Sequence, residues 1–123
     1  MEHGGMGGAV CRRLAECGAK TVVVVDVTET EASRVATSLG PGVGVVKVAD
    51  CGQESDIRNL ILWTEEACGP IDLFVANAGI LVHGGLEVSD RAWDCAWHLN
   101  VMQIVHAARH LFPLFEQRGR GYF

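Results

Sequence analysis

Ile71-Asp72-Leu73-Phe74-Val75-Ala76-Asn77-Ala78-Gly79-Ile80 decides how the rest of the chain is read. It opens as an apolar run of strand length, broken only by Asp72 near its start. A continuous apolar strand suits a sheet covered on both faces. The small-residue turn Asn77-Ala78-Gly79 then lets backbone approach something flat, and an Asn there can bond across to a neighbouring strand. The residues before this stretch read as units feeding one sheet. The residues after it read as the wall of a cleft beyond the strand's carboxyl end.

Upstream, Gly69-Pro70 closes a helix expected over residues 54–68, with Ile57, Leu60, Ile61 and Thr64 on its inner stripe. Before it, residues 43–48 (VGVVKV) form an expected strand that runs into Ala49-Asp50-Cys51. Asp50 can accept from an adenine amino group while the Cys51 backbone N–H donates to the ring; equally, Asp50 can serve as a turn or cap residue. With no evident cation beside it, Cys51 is not expected to be a reactive thiol. Gly40-Pro41-Gly42 separates that strand from a helix over residues 31–39, capped by Thr28 or Thr30. Residues 21–27 (TVVVVDV) are a β-branched buried strand ending in Asp26. An acid at the end of such a strand can accept both ribose hydroxyls of an adenosine and repels a 2′-phosphate, which favours NAD over NADP. It lies about 20 residues after Gly7, the spacing this role calls for. A solvated strand end or a helix cap is the plainer alternative.

The chain opens with Gly4, Gly5, Gly7 and Gly8 ahead of a helix carrying Val10, Cys11, Leu14 and Cys17 on one face and stopped by Gly18. A Gly-rich turn at a helix start can present bare N–H groups to a phosphate; a simple chain start is the other reading. Downstream of Gly84-Gly85, Ser89 caps a long amphipathic helix. Trp93, Trp97, Asn100, Val101, Ile104, Ala108, Leu111 and Phe115 recur at three- and four-residue steps. This stripe reads as core or as a helix-on-helix subunit contact. An amide on it needs a partner, because an unsatisfied buried one costs ~1–3 kcal/mol. His106 and His110 are four apart, but with no carboxylate placed beside them no metal site is expected. His83 and His98 read as surface or cleft-edge residues. Tyr122-Phe123 looks like the first step of another strand.

The composition fits one modest globular domain: 123 residues, 49% hydrophobic, net charge −5. The negative balance argues against nucleic acid and against a basic membrane-surface patch. No run approaches the ~20 apolar residues of a membrane span, and no leader is apparent. The odd number of cysteines, five, with no C-x-x-C, points to reduced thiols and a cytoplasmic setting.

Together these residues resemble the short-chain dehydrogenase/reductases, over about the first half of a typical member. Gly5-Met6-Gly7 match the last three positions of the family's T-G-x-x-x-G-x-G loop, and Ala9 to Glu16 resemble the helix behind it. Asp26, with Val27 after it, matches the NAD-selecting acid; Asp50-Cys51 match the adenine-contacting pair. Asn77-Ala78-Gly79 match the N-A-G motif that steadies the central sheet and lines the cofactor cleft. Asn100 matches the Asn that supports a water-linked proton relay to the catalytic Lys. The resemblance therefore implies an α/β, Rossmann-like doubly wound parallel sheet over residues 1–123, forming a partial NAD(P)-binding domain. It implies hydride transfer between nicotinamide and an alcohol or carbonyl substrate, NAD as cofactor, and association into a homo-oligomer through the 93–115 helix. Leu81, Val82 and His83 would face the substrate side.

Two departures qualify that reading. Met1 falls where the family has its first loop Gly, so the sequence has no counterpart of the family's first, central strand. The family's Ser and Tyr-x-x-x-Lys also have none: Tyr122 is the only tyrosine, and the lysines, Lys20 and Lys47, lie far upstream. These 123 residues on their own are therefore expected to be inactive, and a non-catalytic dinucleotide-binding or subunit-interaction module is the rival function. A central strand burying about four aliphatic side chains contributes ~1.5–3 kcal/mol for each, comparable with a domain's net stability of ~5–15 kcal/mol. The expectation is a marginal fold, or closure of the second and fourth strands onto each other.

Overall fold

A computed structural model describes residues 5–123. Gly4 and the alignment of Met1 with the first loop glycine lie outside the described residues. The chain divides into two compact units, Met1–Asp50 and Cys51–Phe123.

In the first unit the order is α1 (Gly5–Glu16), β1 (Val22–Asp26), α2 (Glu29–Ser38) and β2 (Gly44–Val48). β1 and β2 are parallel, in register from Val22 opposite Gly44 to Asp26 opposite Val48. A parallel pair needs a crossover, and α2 supplies it. Its Ala32, Val35 and Ala36 bury with Val22, Val24 and Leu39, while Cys11 and Leu14 of α1 pack on the same cluster. The small residues of α2 allow close approach. A Cβ on Gly44 would lie 2.4 Å from the Ala36 carbonyl oxygen, so no larger residue fits the start of β2. Both strands and α2 fall within two residues of the expected spans.

The second unit comprises α3 (Glu54–Ala67), α4 (Asp90–Trp97), a π-helical turn (His98–Met102) and α5 (Gln103–Arg118). Ile57 and Ile61 of α3 bury against Ala107, Leu111 and Phe115 of α5. The stretch between α3 and α4 departs from expectation. Residues 71–80 do not form an extended strand; Leu73 alone makes a parallel bridge, to Tyr122. The Phe74 N–H donates to the Tyr122 carbonyl at 3.0 Å, and the Tyr122 N–H to the Asp72 carbonyl at 2.9 Å. A buried strand needs backbone neighbours, and among the described residues the one strand-type pairing of this run is the bridge to Tyr122. Val75 is 46% exposed. Among the described residues the ladder partner of β1 is β2, not the expected fourth strand over 71–80. The run is anchored at its start instead. Glu65 Oε1 accepts from the Ile71 N–H at 2.9 Å, and Arg118 pairs with Glu65. Stacking of Phe74 on Phe123, with centroids 5.6 Å apart, holds the bridge from the side.

The expected single helix over 93–115 is interrupted by the π turn. Its apolar stripe also divides: Leu111 and Phe115 are core, whereas Trp93, Trp97 and Ile104 are exposed. No described helix is long and apolar enough to cross a membrane, and all five cysteines are free thiols.

Candidate functional site

Asp26 is the last residue of β1. Its Oδ1 accepts from the Thr28 N–H at 2.9 Å and from the Thr28 hydroxyl at 3.2 Å. This two-residue turn carries the chain from β1 into α2, for which Thr28 is the N-cap residue without a side-chain capping bond. The acid therefore forms a local turn onto Thr28 and does not itself cap a helical N–H of α2. Among the described residues its bonds use Oδ1 alone, so the second oxygen is available to a ligand. Val27 beside it is exposed. Gly5, Met6 and Gly7 are the first residues of α1 rather than a loop ahead of it, Gly5 with φ +50° and Met6 80% exposed. Asp50 follows β2 at the end of the first unit, and Cys51 packs against the core of the second.

In the second unit the Asn100 amide has the partner its type calls for. The Asn100 side chain donates through Nδ2 to the Ile80 carbonyl at 2.9 Å. Its Oδ1 accepts from the Ile80 N–H, also at 2.9 Å. One carboxamide thus satisfies both polar groups of one peptide residue, as a strand neighbour would. The partner that sequence demanded for this amide is the turn after Asn77-Ala78-Gly79. Gly79 sits against the lock: a Cβ there would lie 3.1 Å from Asn100 Oδ1, which is already committed to Ile80. Asn77, Ala78 and Gly79 are all exposed, leaving their backbone open to approach. The π turn centres on Asn100, and single π turns inside α-helices occur frequently at functional sites. Gln103, which sequence reasoning passed over, is buried and donates to the Ala78 carbonyl from the same side.

A second cluster also escaped the sequence reading. His106 and His110 do face a carboxylate, that of Glu54 at the start of α3. His106 Nε2 lies 3.6 Å from Glu54 Oε2, and His110 Nε2 lies 3.3 Å from Oε1. Arg109 donates to Oε1 at 2.6 Å. The Arg109 hydrogen bond and charge, with the two histidines beside it, hold the Glu54 carboxyl below its ordinary value. The pairing spans 55 residues of sequence, beyond the reach of local periodicity. With a guanidinium seated on the carboxylate this is an ion-pair cluster. Among the described residues no group of three or more His, Cys, Asp or Glu is arranged to hold a metal. His98 turns back on its own helix, its Nδ1 2.8 Å from the Asp94 carbonyl, and His83 is exposed.

Residues 2–122 match the short chain dehydrogenase family. The chain belongs to that family. A dehydrogenase/reductase SDR family member 4 from Sus scrofa is 32% identical over 120 residues, covering 95% of this chain and 43% of that protein. The chain thus spans less than half the length of the curated relatives it matches. A crystal structure described as a short-chain dehydrogenase/reductase from Burkholderia xenovorans superposes with a TM-score of 0.89 at 25% identity, over 98% of this chain and 49% of that one. A metagenomic short-chain oxidoreductase solved in complex with NADP has the same fold, with a TM-score of 0.89 at 24% identity over 96% of this chain and 55% of that one. The fold of the family member in hand is accordingly an incomplete Rossmann-like α/β fold.

Proposed function

We propose that this chain is the dinucleotide-binding portion of an NAD(H)-dependent oxidoreductase that moves hydride between nicotinamide and the carbon–oxygen centre of a small alcohol or carbonyl compound. The observation that carries the reading is Asp26. It ends β1, and its bonds to Thr28 employ only Oδ1. The remaining oxygen suits a ribose hydroxyl, and the negative charge opposes a 2′-phosphate. Gly5, Met6 and Gly7 would lie along the pyrophosphate, Val27 beside the ribose, and Asp50 and Cys51 at the adenine. The exposed Asn77-Ala78-Gly79 backbone would line the cofactor, which supplies the hydride acceptor when bound. Asn100 would support a proton relay to a lysine. The general acid/base tyrosine and that lysine have no counterpart among these 123 residues, so the chain by itself should turn over no alcohol with NAD. Free thiols at all five cysteines fit a cytoplasmic protein. The test is Asp26→Ala: preference for NADH over NADPH should fall about tenfold, roughly the weight of one charge-assisted contact. An unchanged preference would remove Asp26 from the role.

A second reading, a subunit-interaction module, is favoured by one feature. Ile104, Val105 and Phe112 on one side of α5 are each more than 40% exposed, and they line a shallow apolar depression with Ala108 and Pro113. A second copy packing helix on helix would cover it. Sedimentation should then show a concentration-dependent dimer that Phe112→Asp abolishes; a monomer at all concentrations would sink this reading.

A further inference from the structure

We propose that Gln103 is a positioning residue, whose side-chain amide ties the π turn to the Ala78 carbonyl and so fixes the Ala78–Gly79–Ile80 backbone and Asn100 with it. Its importance for cofactor binding rests on the reading that this backbone lines the cofactor.

The starting observation is a buried amide. Gln103 is 4% exposed, and an amide is kept in such a place only when its donors are used. Both carbonyls it meets are backbone. Nε2 donates to Ala78, 25 residues upstream, and to Leu99, four residues back. The second bond explains the local helix geometry. The Gln103 backbone N–H reaches the His98 carbonyl, five residues back. In a regular α-helix that N–H would bond Leu99, four back. The Leu99 carbonyl receives the side chain of the same residue instead. Gln103 thus helps define the π turn with its backbone and compensates it with its side chain.

The first bond makes the turn matter elsewhere. Asn100 holds Ile80 at both its N–H and its carbonyl, and Gln103 holds Ala78. Two carboxamides from one helical turn therefore grip the backbone on either side of Gly79. Asn100 alone fixes one residue and leaves the chain free to pivot there. The Ala78 bond supplies the second point that stops the pivot. A side chain lacking N–H donors cannot replace it, whatever its shape.

Gln103→Met keeps length and apolar bulk but has no donor; Gln103→Glu keeps shape but turns an acceptor toward two acceptors. In the 123-residue chain, hydrogen exchange at the Ile80 amide, which donates to Asn100, should speed up about tenfold in the Met variant, the factor that loss of one net hydrogen bond gives. More acceleration is expected in the Glu variant, and NADH affinity should weaken severalfold in both. Unchanged exchange in Gln103→Met would overturn the proposal, as would faster exchange with unaltered NADH affinity. Should neither variant fold, the wild-type chain decides: a slowly exchanging Gln103 side-chain NH2 with a nuclear Overhauser contact to Ala78 supports the tie, and a freely exchanging one refutes it. Wild-type chain that binds no NADH would sink the cofactor reading, while the exchange data would still decide the tie.

Discussion

Single residues carry the features that pattern reading could not supply. Asn100 was legible in part: an amide on an apolar helix stripe called for a partner, and the structure supplies one at Ile80, with Asn100 itself exposed. Gln103 was not. A glutamine next to exposed helix positions looks like ordinary surface, and its burial depends on Ala78 arriving from 25 residues away. The same holds for Glu54, which read as the first residue of a helix and is also the anion between His106, Arg109 and His110. Its carboxyl titrates below the ordinary 4.5. A lowered folded-state value contributes stability that is complete above the unfolded value and is lost as pH falls through the folded one. Acid should therefore weaken the α3–α5 packing below about pH 4.5. Glu54→Gln should flatten that acid limb in urea denaturation followed by circular dichroism. An acid limb of unchanged depth in the variant would show that the ion pairs add nothing, the usual fate of isolated surface pairs.

At the level of elements, the first unit follows its sequence closely. β-branched runs became β1 and β2, and the alanines of α2 let that helix settle on both strands. The close approach at Gly44 gives the sharpest stability prediction. Adding a methyl 2.4 Å from a backbone oxygen cannot be relieved by a rotamer change. Gly44→Ala should cost about 1–3 kcal/mol, the usual range for overpacking. Guanidinium denaturation would measure it, and a loss under about half a kcal/mol, the scatter of an ordinary surface substitution, would mean that β2 is not held against α2 as described. The stretch 71–80 shows where periodicity stops being informative. Its apolar run has the composition of a buried strand, but strand structure is a property of neighbours. One parallel bridge to Tyr122 is what its neighbours within residues 5–123 provide. The helix break at His98–Met102 is a similar case. No Gly or Pro marks it; there the Gln103 backbone N–H reaches back to the His98 carbonyl and the Gln103 side chain takes the Leu99 carbonyl.

For the whole molecule, family membership and incomplete content have to be held together. The match runs over residues 2–122, yet the chain covers 43% of the Sus scrofa relative. The part in hand includes the residues proposed to grip a dinucleotide and excludes those proposed to move a proton. Binding and turnover should therefore separate, with binding the property to look for in these 123 residues. The most direct measurement is a fluorescence titration of the purified chain with NADH and, in parallel, with NADPH. The account predicts saturable NADH binding about tenfold tighter than NADPH, on the repulsion expected between Asp26 and a 2′-phosphate. Tighter binding of NADPH, or no saturable binding of either nucleotide, would contradict it.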